Sequence, residues 1–214
     1  MGETVTITDF IMRLAEERMP DVFNPWADRD PLDAVALPWV DRRCRLRLHL
    51  DCTPVMLLIG EAPGYQGCRF SGVPFTNEAL LCDGAIPRLK VAQRITTRPR
   101  PWREPSATIM WGALHEHGIA HRVVLWNAFP YHPHQPGKPH SNRRPTRKEL
   151  EAQGWALDDL LRLYRAAPAV AVGRVAERAL ADLGIAPKAA LRHPAMGGAP
   201  EFRRGLRALV RDLA

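Results

Sequence analysis

Leu57-Leu58-Ile59-Gly60-Glu61-Ala62-Pro63-Gly64-Tyr65, followed shortly by Gly72-Val73-Pro74-Phe75, is the stretch on which the fold turns. The run from Val55 to Ile59 is continuously apolar, as a parallel strand covered by helices on both faces must be. It stops at a Gly/Pro loop that carries one carboxylate, Glu61, and an aromatic, Phe75, follows. In a sheet of parallel strands, ligands bind in the crevice outside the carboxyl ends. The stretch therefore predicts an α/β fold and also the edge on which its site lies.

Three further runs repeat the pattern. Val123-Val124-Leu125-Trp126 ends at Asn127-Ala128-Phe129-Pro130, and Ala169-Val170-Ala171-Val172-Gly173 leads into a helical segment from Arg174 to Leu183. Ala189 to Arg192 reads as a fourth strand, ending at His193-Pro194. Between them, helices are expected from about Ser106 to His117 and from Glu201 to Leu213. Another starts at the capping box Thr146-Arg147-Lys148-Glu149 and carries Leu150, Leu157, Leu160, Leu161 and Tyr164. Ile7, Phe10, Ile11, Leu14 and Ala15 recur at helical spacing and predict an N-terminal amphipathic helix ending before Pro20. A Pro- and Asp-rich connector, Asn24 to Pro38, shows no periodicity. Arg42, Arg43, Arg45 and Arg47, set among apolar residues, fit either a helix face or a half-exposed strand. Alternating strands and helices predict a three-layer α/β/α sandwich whose mostly parallel central sheet has about four strands. Residues 1–214 form one domain in this reading, with 1–50 an N-terminal helical extension packed on it.

The chain has 214 residues, 46% of them apolar, enough for a sizeable core. Thirty Lys and Arg against 23 Asp and Glu give a net charge of +7, which suits a polyanionic partner. No apolar run is long enough to cross a membrane and no secretory signal pattern stands at the N-terminus, so a soluble, cytoplasmic protein is expected. Cys44, Cys52, Cys68 and Cys82 contain no C-x-x-C pair, poor spacing for zinc or an iron–sulfur cluster. Reduced thiols and no metal follow. The glycines of the first loop make no G-x-G-x-x-G, no phosphate-loop lysine is present, and no G-x-S-x-G marks a nucleophile elbow.

Singly, the polar residues at the strand ends have ordinary explanations. Glu61 could pair with an arginine, Asn127 could serve a turn, His193 could be structural and Phe75 could be core. A parallel sheet opens all these loops on one edge, however, and that convergence favours a site.

Together the segments resemble the uracil-DNA glycosylase superfamily. Gly60-Glu61-Ala62-Pro63-Gly64 and Gly72-Val73-Pro74-Phe75 look like the first motif of its iron–sulfur branch, and Arg69 to Thr76 resembles the R-x-G-x-x-F-T loop of a related branch. Leu125-Trp126-Asn127 echoes its Asn-bearing strand end, Asn142 to Glu149 its N-R-x-P-T-x-x-E, and His193-Pro194-Ala195 its late H-P motif. The cluster cysteines of the iron–sulfur branch are missing, so no cofactor is implied. Glu61 is the only acid of the first motif. Gly64 stands where the best-known branch has a tyrosine that excludes the methyl of thymine, which leaves that duty to Tyr65 or Gln66.

The resemblance implies an enzyme that flips uracil out of DNA, hydrolyses its N-glycosidic bond and so starts base excision repair. Glu61, orienting water or steadying the sugar cation, and His193, stabilising the oxyanion, are the implied catalytic pair. Ala62, Gly64, Tyr65, Gln66, Phe75 and Asn127 are the implied uracil-binding set, with Phe75 stacking on the base and Asn127 reading its polar edge. Arg143, Arg144 and Arg147 are implied phosphate contacts, and Met196 with Gly197 an apolar wedge into the stack. The expected partner is uracil-containing DNA, bound by a monomer away from membranes. The alternatives are a uracil-DNA binder that does not turn over, a glycosylase preferring xanthine, hypoxanthine or hydroxymethyluracil, and an α/β hydrolase or nucleotide-binding enzyme.

Overall fold

The structure is a computed structural model that describes residues 5–89 and 94–212. In chain order its elements are α1 (Ile7–Leu14), β1 (Val22–Phe23), α2 (Pro38–Leu50), β2 (Met56–Gly60), α3 (Cys68–Ser71), α4 (Glu78–Cys82) and α5 (Pro105–Glu116). There follow β3 (Val123–Asn127), β4 (His132–Pro133), α6 (Arg147–Ala152), α7 (Gly154–Leu163), β5 (Ala169–Val172), α8 (Arg174–Asp182), β6 (Ala189–Leu191) and α9 (Ala199–Arg211).

The apolar runs become a sheet in the order β3-β2-β5-β6, every pairing parallel. Successive strand residues face opposite sides, and the core divides accordingly. Leu57, Ile59, Val124, Trp126, Ala169 and Ala171 pack against α1, α7 and α8 and against Leu46 and Leu50 of α2. Met56, Leu58, Val123, Leu125, Val170 and Val172 pack against α5 and α9. The three-layer sandwich expected from the sequence is the fold.

Several elements resolve what local pattern left open. The arginine-rich segment is helical, Pro38 opening α2, with Arg42 and Arg45 buried and Arg47 exposed. The helix expected from Thr146 to Tyr164 is two helices that meet at Gln153. There the Gln153 side chain donates to Glu17 Oε2 at 3.1 Å and accepts from Trp155 Nε1 at 2.9 Å. The capping box itself forms as predicted, Thr146 Oγ1 accepting from the Glu149 N–H. Just before the unpatterned connector, β1 pairs antiparallel with β4.

Buried ion pairs hold the segment that follows β2. Arg69 donates to Asp30 Oδ2 from Nε at 2.9 Å and Nη2 at 2.6 Å, its guanidinium lying 3.8 Å over the Phe23 ring. Arg42 pairs with Asp33, and its Nε reaches the carbonyl of Phe70. Gly72 has φ +77°, and a Cβ there would stand 2.5 Å from the Arg42 Cβ, so only glycine admits this crossing.

Two buried histidines make the fold acid-sensitive. Arg88 Nη2 donates to His49 Nδ1 at 3.2 Å, and Arg69 Nη1 donates to His132 Nδ1 at 3.0 Å. An arginine only donates, so each Nδ1 must be an unprotonated acceptor. Protonating it would remove the bond and set two cations together. Burial, reinforced by those arginines, lowers both histidines to about 3. Unfolded chains regain the ordinary value near 6.5, so between pH 6.5 and 3 the unfolded state binds more protons and stability falls with pH. From these two groups alone, urea unfolding should lose up to about 2.7 kcal/mol per pH unit below pH 6. Stability constant down to pH 4.5 would contradict the assignment.

Candidate active site

Parallel register sets Gly60, the last residue of β2, opposite Asn127, the last of β3. Their chains then leave the sheet together, the Ala128 N–H donating to the Gly60 carbonyl at 2.8 Å and the Phe129 N–H to the Glu61 carbonyl at 2.9 Å. Phe75 lies across this edge. A Cβ added to Gly60 would stand 2.3 Å from Phe75 Cζ and 2.7 Å from Asn127 Oδ1. Glycine is therefore required, and Gly60→Ala should push the ring off its seat. Its expected signature is loss of at least about tenfold in whatever activity this edge supports, with a folded circular-dichroism spectrum retained.

Phe75 adopts φ +51°, a left-handed conformation that costs an aromatic residue about 1–3 kcal/mol. Its neighbours impose it. Ser71 Oγ donates to the Thr76 carbonyl at 2.6 Å, and Trp111 Nε1 donates to Thr76 Oγ1 at 3.0 Å. Strain sustained at a strand-end crevice is a mark of function.

Asn127 is 2% exposed, yet its amide makes no hydrogen bond among the described residues. A buried amide without partners costs free energy unless something else supplies them. The His193 ring stands 6.0 Å from that of Phe75, centroid to centroid. Its Nδ1 accepts the Ala195 N–H at 3.2 Å, which leaves the proton of the neutral ring on Nε2. Burial, and then the neighbouring Arg192, holds the imidazole below its ordinary pKa, so near pH 7 it is a neutral donor.

Glu61 is half-buried at the start of the loop, 3.9 Å from Arg144 Nε. Burial raises its carboxyl and Arg144 partly offsets that. The other residues named from sequence divide. Ala62 packs towards the core beneath α1, and Gln66 is half-buried in the loop. The N–H of Tyr65 is held by Asn142 Oδ1 at 2.9 Å, its ring edge-on to Trp102. Gly64 lies beneath Glu104 and Asn142. Met196, at φ +52° and 93% exposed, heads a turn completed by Gly197 at φ +78°.

Of the three arginines, Arg143 is engaged within its own loop. It pairs with both carboxylate oxygens of Glu149 and donates to the His134 carbonyl. Arg144 is 86% exposed, and Arg147 is 83% exposed with Glu151 beside it. Among the described residues, no group of three or more His, Cys, Asp or Glu could hold a metal ion, and the four cysteines do not gather as a cluster would need.

Sequence reasoning missed two residues that touch the first loop, Asn142 as its anchor and Glu104. Asn142 stood inside a recognised motif without a role assigned. Glu104 offered only the signal of a residue before a helix-opening proline.

A model of the uracil DNA glycosylase superfamily matches residues 49–209. The chain belongs to that superfamily. Membership supports a DNA glycosylase, a hydrolase acting on DNA in base excision repair. Among solved structures, SMUG2 from Pedobacter heparinus is similar to this superfamily member with a TM-score of 0.61 at 13% identity, the alignment covering 96% of this chain and 99% of that one. At that identity the likeness speaks for the fold. No curated protein matches the chain. No helix among the described residues is long and apolar enough to cross a membrane.

Proposed function

We propose that this glycosylase removes uracil from DNA by hydrolysing its N-glycosidic bond. The observation that carries the reading is the amide of Asn127, which has no hydrogen-bond partner among the described residues in a side chain 2% exposed, beside the strained ring of Phe75 and the strand end at Gly60. An amide offers one donor and one acceptor, the complement of the N3–H and neighbouring carbonyl of uracil. A pocket built to pair such an edge rejects bases that leave its polar groups unpaired.

The extruded uracil stacks on Phe75 and pairs with Asn127. As the C1′–N1 bond breaks, its electrons pass to the base and collect on O2, where the His193 Nε2–H and the loop amides donate to the oxyanion. The sugar gains positive character, which Glu61 as a carboxylate steadies while orienting the water that adds to C1′, and the proton that this water loses neutralises the departing uracil anion. No step draws on a metal or redox group. The exposed Met196 turn suits the gap left in the stack, and Arg144 and Arg147 suit the flanking phosphates.

The test is release of free base from single- and double-stranded oligonucleotides carrying uracil, xanthine, hypoxanthine or hydroxymethyluracil, scored by alkaline strand cleavage. Uracil released over many cycles supports the reading. Uracil-DNA retained without free base would make the protein a trap, and release confined to xanthine or hypoxanthine would reassign the lesion.

A further inference from the structure

We propose that Glu104 is a specificity-determining residue of the base pocket, a carboxyl wall that refuses an apolar substituent on the pyrimidine ring; the proposal rests on the uracil-releasing reading above. Glu104 is the N-cap residue of α5, but its side chain makes no capping bond. A carboxylate that capped the helix would be stabilised by the helix N–H groups and dipole. Instead it is turned onto the first loop. A Cβ at Gly67 would stand 1.9 Å from Glu104 Oε2, and one at Gly64 would stand 3.3 Å from Oε1. Gly67 must therefore lack a side chain for this carboxyl to lie where it does, and one at Gly64 would press on it.

The residue links the segment that follows Phe75 to the first loop. Its backbone carbonyl accepts from Asn77 Nδ2 at 3.2 Å, two residues beyond Phe75, while its carboxyl covers the loop that begins with Glu61. Among the described residues it has no cation partner, and its carboxyl accepts only from Ser106 Oγ, at 2.8 Å. Burial accordingly raises its pKa. Two residues away in sequence, the indole Nε1 of Trp102 is buried with no partner among the described residues, its ring edge-on to Tyr65 at 5.5 Å. A carboxyl held by a single neutral hydroxyl and an indole donor without a partner, both on the segment that lies against the first loop, are groups that a ligand could satisfy.

The edge of the base that meets this wall follows by elimination. Asn127 takes the edge with one donor and one acceptor, His193 and the loop amides take O2, and N1 carries the sugar towards the opening. The C5–C6 edge remains, and the wall not otherwise used is Gly64–Gly67 with Glu104 upon it. A hydrogen at C5 leaves the carboxyl its water. A methyl group there strips that water and offers no bond in exchange. A hydroxymethyl group, though larger, can donate to the carboxyl.

Single-turnover release of uracil, thymine and 5-hydroxymethyluracil from one duplex sequence, by the wild-type chain, Glu104→Ala and Glu104→Gln, tests this. Wild type should release 5-hydroxymethyluracil faster than thymine. Glu104→Ala should raise the thymine-to-uracil rate ratio by about 30-fold, within the range one methyl group commands. Glu104→Gln, polar and of nearly equal size, should keep the wild-type ratio within about threefold. An unchanged ratio in Glu104→Ala overturns the proposal, as does a wild type that prefers thymine to the larger hydroxymethyl base. The wild-type order decides even if Glu104→Ala does not fold. Wild type that releases no uracil defeats the underlying reading, and the wall falls with it. Wild type that releases uracil with an unaltered Glu104→Ala ratio defeats the wall alone.

Discussion

Asn127→Ala should lower uracil release by about 10²- to 10⁴-fold while leaving the protein as stable as wild type. Both halves follow from one fact, the absence of any hydrogen bond to this buried amide among the described residues. Among the described residues no hydrogen bond depends on the amide, so truncation breaks none of them. Within the complex, the N3–H and carbonyl of the base lose their partners in a site from which water is excluded. Asn127→Asp should fail similarly, since a carboxylate accepts but cannot donate to the carbonyl. The measurements are single-turnover release from a uracil oligonucleotide and the midpoint of urea unfolding. A variant that loses activity and stability together would make Asn127 a structural residue, and full activity would remove it from the pocket.

Release by wild type should fall on the acid side only, and His193→Ala should cost about 10²- to 10³-fold, the magnitude of one oxyanion donor. His193 works as the neutral ring, and burial with Arg192 lowers its pKa below 6.5. The active form is therefore full above pH 6.5 and is lost as pH falls through that depressed value. Glu61 works as the carboxylate, and burial raises its pKa above 4.5, so its active form is also lost on acidification. Two groups protonating on one limb should give a slope approaching two in wild type. His193→Ala and Glu61→Gln should each reduce it to one. Rates that rise as pH falls would mean that the imidazolium is the donor and would reverse the assignment.

How much of the site was legible depended on how local each signal was. Gly60, Glu61, Asn127 and His193 each follow a strand or lie at its end, and strands announce themselves by short apolar runs. Parallel pairing then brings the three strand ends that carry them to one edge whatever the rest of the chain does. Phe75 was legible as an aromatic after a Gly-x-Pro turn, but its left-handed backbone depends on Ser71 and Trp111 gripping Thr76. Arg143 looked like its neighbours Arg144 and Arg147 in sequence. Only the folded loop gives it to Glu149 and turns the other two outwards. The helix break at Gln153 was hidden for the same reason, because the partner that holds its side chain, Glu17, comes from the chain's opposite end.

By itself, the sequence determined the layered α/β architecture, and it pointed to the edge of the candidate site and to the stretch from Gly60 to Phe75 as one half of it. Alternation, helical spacing and Gly/Pro turns act over a few residues, so they are written where they operate. The tertiary structure alone decided which polar groups meet. It left the Asn127 amide without a partner, made His193 a neutral donor, and laid Glu104 on Gly64 and Gly67. Two glycines carry no message until an acid some forty residues away is folded onto them, and the environment of a buried charge is a property of that contact.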